Sequence, residues 1–177
     1  MWKEFKPAIR FVAVFVGVYL VSNFLYGIYI HSLGHQADHF TRIVSHETTW
    51  VLNFLGGEVR ENPLTERASI SLLSNEKSII NIFEGCNGVN VAIVFVAFIL
   101  SFGGEKKKVV WFIFLGLVII NFVNVIRLAL LYWVAARYHS YFYFIHKYFF
   151  TAIIYAVVFL LWVIWIRMQR HEQSANA

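Results

Sequence analysis

Apolar positions fall into four long runs separated by polar or basic connections, at residues 8–30, 87–102, 109–136 and 144–166. That alternation predicts an all-α membrane protein: a four-transmembrane-helix bundle with an extracytoplasmic amphipathic helix and a short hairpin segment, forming one integral membrane domain. The first run exceeds the about 20 residues that a bilayer crossing needs. It is also longer than a secretory h-region, and no small-residue cleavage site follows it, so it reads as a span and not as a signal peptide.

Residues 31–86 are mixed in character. Within them, residues 36–55 place Phe40, Ile43, Val44, Trp50, Val51 and Phe54 at helical spacing, which predicts an amphipathic helix on the surface or packed on the bundle. Gly56 and Gly57 stop it, and Asn62-Pro63 reads as a turn. Residues 69–73 and 78–83 read as two short strands, with Ser74, Asn75, Glu76 and Lys77 as the hairpin turn.

Composition agrees with the pattern. The chain is 59% hydrophobic, 14% charged and 19% aromatic, with many aromatics near the ends of the runs as in interfacial belts. The net charge of +5 sits mostly beside the runs, where membrane topology and anionic lipid account for it without nucleic acid. No Rossmann or Walker glycine pattern and no internal repeat is present, and no cofactor is implied. A single cysteine excludes an internal disulfide. Lysine and arginine cluster at the amino end, at Lys106, Lys107 and Lys108, and at Arg167 and Arg170, whereas the 31–78 segment balances its positives with carboxylates. The positive-inside rule then puts both termini in the cytoplasm and residues 31–86 outside.

The chemistry centres on Glu84-Gly85-Cys86-Asn87-Gly88-Val89, where a polar segment meets the second run. Asn87 reads as a helix N-cap, and a thiol at a helix N-terminus is biased toward the thiolate. Arg127 lies inside the third run, where a charge is costly and marks function by default. Counting helical rises from the inner edge of each span puts Arg127 roughly 28 Å, Cys86 roughly 24 Å and His146 roughly 31 Å above it, one common layer. A thiolate attacks a carbonyl, an imidazole moves the proton, and a guanidinium stabilises the oxyanion or the thiolate. Asn124, one turn before Arg127, orients the guanidinium or donates to the oxyanion; Glu84 orients His146 or binds substrate. His139 is the competing base. Each residue also has a plainer reading: a packing cysteine, a structurally paired arginine, an interfacial histidine, an interhelical asparagine hydrogen bond and a solvated glutamate.

Taken together, Glu84-Gly85-Cys86-Asn87-Gly88 at a span boundary, Asn124-Val125-Ile126-Arg127 in the next span and His146 in the following one resemble the exosortase/archaeosortase family, in particular the short F-type exosortase form of Bacteroidetes. Asn87 stands where the family pattern carries serine or alanine. The resemblance implies a membrane cysteine protease or transpeptidase in the bacterial cytoplasmic membrane, with its site on the outer face. Its partners would be exported proteins bearing a C-terminal sorting signal, made of a short motif, a transmembrane helix and a basic tail. Cys86 would be the nucleophile, Arg127 its oxyanion or thiolate partner and His146 the acid/base, working through a thioester that passes to water or to a surface acceptor.

Two other classes compete. His31, His35 and His39 recur at four-residue intervals, a spacing that suits a metal or haem site, although no His-Glu-x-x-His pattern is present. A non-enzymatic membrane scaffold or transporter subunit would leave Cys86 inert and Arg127 structurally paired.

Overall fold

The computed structural model describes residues 2–64, 66–137 and 150–175, with side chains for 5–64, 66–137 and 151–170. In chain order the elements are α1 (Trp2–Ser32), α2 (His39–Phe54), β1 (Arg60–Leu64), β2 (Ser69–Ser74), β3 (Lys77–Phe83), a 3-10 turn (Glu84–Cys86), α3 (Val89–Phe102), α4 (Lys106–Arg137) and α5 (Phe150–Ala175). The chain is mostly helical, as its runs require, but it is not all-α: β1, β2 and β3 form a three-stranded antiparallel sheet in that order.

Three helices are long and apolar enough to cross a membrane, over Phe5–Ser32, Lys106–Arg137 and Thr151–Arg170. The second expected span is shorter than the others. α3 has 14 residues, about 21 Å of helix against the roughly 30 Å of a hydrocarbon core. Glycines bound it on both sides: Gly88 at φ 82° begins it and Gly103 at φ 77° ends it, conformations that a helix cannot continue through. Four full spans are therefore not seen. Of the fourth predicted run, the part before Phe150 lies outside the described residues.

The sheet carries one strand more than the pattern suggested. Asn62-Pro63 does not turn the chain; it lies within β1, where Pro63 faces Ile70. Proline is tolerated because β1 is an edge strand and its missing N–H is not needed there. The predicted hairpin joins β2 and β3 through Asn75 and Glu76, both at positive φ (48° and 61°), the primed turn that matches strand twist. Leu72 faces Ile80 while Leu73 faces Ser78, so Ile79 is an extra, bulged residue in β3.

α2 starts where Asp38 caps it, its Oδ1 accepting from the Thr41 N–H at 3.0 Å. Leu55 caps its end and the chain turns away at Gly56, φ 87°. Asn53 then holds the returning chain through both Val59 backbone groups, at 2.8 and 3.1 Å. The helix is amphipathic with its faces inverted relative to a soluble one. Thr41, Ser45, Thr48 and Thr49 are buried with Val44 and Leu52, while Phe40, Ile43, Trp50 and Phe54 point outward. An inward hydroxyl can bond its own helix, as Thr48 does to the Val44 carbonyl at 2.7 Å.

Two cores result. Ile70, Leu72, Ile80 and Ile82 share one sheet face and pack with α2 and with Val125, Leu128, Leu131 and Tyr132 of α4. Phe95 and Ile99 of α3 pack with Phe112 and Ile120 of α4 and with Ile154, Val158 and Trp165 of α5. α4 serves both: its 32 residues make about 48 Å of helix, longer than a bilayer core is thick. In the second core a Cβ on Gly116 would run into the Phe95 ring, which is fully buried and packed near Phe112. Gly116→Val should therefore lower the thermal midpoint in detergent by roughly 2–12 °C through overpacking. An unchanged midpoint would show that α3 and α4 do not pack this closely.

Candidate active site

β3 delivers the chain to the Glu84–Cys86 turn, and α3 begins immediately after it. Two glycines make this passage possible. A Cβ on Gly85 would lie 2.6 Å from the Phe83 ring, and one on Gly88 would lie 3.2 Å from Asn124 Nδ2. Without side chains at these positions, Phe83 folds back over the turn and α4 approaches its backbone.

That approach defines the site. Asn124 Nδ2 donates to the Cys86 carbonyl at 3.0 Å, and Arg127 Nη2 donates to the same oxygen at 3.3 Å. The two donors stand one helical turn apart on one face of α4, as their spacing predicts. Asn124 is 0% exposed. Among the described residues, its Oδ1 and Arg127 Nε have no hydrogen-bond partner. The guanidinium thus grips the backbone of Cys86, and its charge lies close to the thiol.

Cys86 is 5% exposed. It lines a cleft of about 370 Å³ between β3, through Ile79, Asn81 and Phe83, and α4, through Leu128 and Leu131. Burial pushes its thiol above the ordinary value, while the Arg127 charge and a hydrogen bond from the Phe83 backbone pull it down. The expected helix-dipole activation is not what dominates: Cys86 precedes the first residue of α3 by three positions and is sunk in the protein. Alkylation of Cys86 by iodoacetamide should therefore climb with pH through a midpoint above the free thiol's about 8.5. Arg127→Met should move that midpoint further up, because it removes the charge that favours the thiolate. A midpoint near neutrality would contradict this balance.

Asn87 and Glu84 belong elsewhere. The N-cap of α3 is Gly88 and not Asn87, although Asn87 Oδ1 does accept from the Val89 N–H at 3.0 Å. Asn87 Nδ2 reaches Tyr26 Oη at 2.7 Å and both Asp38 carboxylate oxygens at 3.3 Å. Thr41 Oγ1 donates to Asp38 as well. This buried network ties α1, α2 and the turn together, with Asp38 2% exposed. Glu84 lines a separate cleft on the α1 side with Tyr26, Ile30 and His31. A further tie, Asn121 Nδ2 to Glu47 Oε2 at 2.8 Å, joins α4 to α2.

The sequence places Asp38 beside the histidines but does not bring it together with Tyr26 and Thr41. For Asp38 the sequence offers a helix-start cue, an Asp before an amphipathic run. Those histidines do not share a helix: His31 ends α1, His35 lies in the turn and His39 begins α2, with the chain broken at Gly34, φ 60°. Among the described residues, no three His, Cys, Asp or Glu side chains are grouped to hold a metal ion. His146 and His139 lie outside the described residues. Compared with protein-family models, curated proteins and solved structures, the chain matches none.

Proposed function

We propose that this chain is a membrane cysteine peptidase or transpeptidase of the exosortase/archaeosortase kind, acting on exported proteins that end in a sorting signal. The observation that carries the reading is the meeting of Asn124 and Arg127 on the Cys86 carbonyl, beside a cleft that Cys86 lines. An arginine and an asparagine from within a membrane helix, committed to the turn of the chain's lone cysteine, are an expensive arrangement for a packing residue. The sequence resemblance assigns Cys86 and Arg127, together with His146, to one site.

In this reading both termini are cytoplasmic and the Cys86 layer faces the periplasm or cell exterior. His146 takes the thiol proton as Sγ attacks the scissile carbonyl, so a thiol that is protonated at rest is compatible with attack. The carbon–nitrogen bond breaks, the same proton passes to the leaving amine, and the substrate's amino-terminal part remains as a thioester on Cys86. Water or a surface nucleophile then attacks the thioester and restores the thiol. Arg127 favours the thiolate and the developing oxyanion by charge.

The test is to trap that intermediate. Membranes containing the full chain and a sorting-signal precursor should yield, after acid quench and proteolysis, a Cys86 peptide bearing the precursor's new carboxyl end, seen by mass spectrometry. Continued precursor cleavage with Cys86 never modified would end the proposal.

A further inference from the structure

The two edges of the sheet differ. β1 closes one side, and Pro63 removes a donor from it, a common way to blunt an edge. β3 closes the other side, contains no proline and runs directly into the turn that holds Cys86. Among the described residues, no hydrogen bond joins the outer edge of β3 to another strand. That edge is not simply solvated: with Leu128 and Leu131 of α4 opposite, it forms the walls of the cleft into which Cys86 opens. Beyond the bulge at Ile79 the edge is regular from residue 80 to residue 83, about four residues or 13 Å. An edge of backbone donors and acceptors beside a half-apolar wall is complementary to one chemistry above others, an extended polypeptide.

We propose that β3 takes the substrate as an added strand, about four residues of extended peptide immediately before the scissile bond, which carry the reacting carbonyl to Cys86. This rests on the peptidase reading above and adds to it how the substrate is held. Its direction follows from the fold. β3 runs toward Cys86, and α3 leads away from it into the apolar core, so the membrane side of the site is the Cys86 end. A substrate whose transmembrane helix follows its cleavage site must reach the membrane at that end. Its preceding residues therefore lie back along β3 and run parallel to it. Backbone pairing supplies affinity with little demand on side chains, and only alternate amides of the added strand face β3.

That alternation provides the test. The probe is acetyl-tetra-alanyl chloromethyl ketone, whose chloride a Cys86 thiolate displaces to form a carbon–sulfur bond, used on the detergent-solubilised full chain. Four analogues each carry one N-methylated amide. Alternate methylations should slow Cys86 modification roughly tenfold, since each removes a hydrogen bond and inserts a methyl into the edge, and the intervening ones should leave the rate unchanged. Uniform slowing, no slowing, or no peptide adduct on Cys86 overturns strand addition. A flat methylation scan together with loss of precursor processing in Cys86→Ala overturns the docking mode and leaves the peptidase reading standing. Processing that survives Cys86→Ala removes both.

Discussion

Replacing Cys86 with alanine is expected to abolish the proposed processing of a sorting-signal precursor, with the protein accumulating to its usual level. The second half of that expectation comes from how the turn is held. Asn124 and Arg127 bond the carbonyl of residue 86 and not its sulfur, so both hydrogen bonds survive the substitution. What is lost is one sulfur atom bordering a cleft, a small packing change of the kind that costs about 1 kcal/mol or less. Precursor and product, separated on immunoblots of membrane fractions, provide the measurement. Full processing by the alanine variant would exclude thiol catalysis, and loss of the protein from the membrane would show that Cys86 matters mainly to folding.

Arg127→Lys should cut processing by at least tenfold although the formal charge is kept. A lysine ammonium is one rotatable point charge. It cannot occupy the carbonyl position of Nη2 and also keep charge spread along the turn as a planar guanidinium does. Asn124 still holds the Cys86 carbonyl in this variant, so its thermal midpoint should stay within a few degrees of the parent. Removing both donors, Asn124→Ala with Arg127→Met, should cost more stability than the sum of the single changes, because either donor alone satisfies that oxygen. Near-normal processing by Arg127→Lys would reduce Arg127 to a structural contact.

The helical part of the fold was legible because long apolar runs leave the backbone few alternatives in lipid. The β2–β3 hairpin was legible for a similar reason: Asn75 and Glu76 separate two runs rich in isoleucine and leucine. β1 was not, since Asn62-Pro63 is a turn signal everywhere except at a sheet edge, and edges are a property of the assembled sheet. The bounds of α3 were legible to within two residues, because a polar stretch at residues 84–88 and Gly103 flank its apolar run; Gly88 at positive φ sets where the helix starts. On the site, the i, i+3 relation of Asn124 and Arg127 was readable locally, and their nearness to Cys86 followed from depth along the helices. What depth does not give is azimuth. Glu84 and Asn87 sit at the same level as Cys86 and point toward α1 and α2, and the network of Asn87 with Asp38 and Tyr26 spans up to 61 positions of sequence. The state of the thiol was also unreadable, because neighbouring sequence does not show the burial that raises it.

Because α4 is one unbroken helix shared by both cores, it acts as a fixed post. The height of Cys86 along α4 cannot drift independently of the α3–α5 packing. A protease built this way would cut at a constant distance from the bilayer, whatever the sequence of its substrate. One residue inserted into α4 between Gly116 and Asn124 would lift the clamp by about 1.5 Å and swing it about 100° around the post. The grip on Cys86 would then be lost outright, not merely weakened.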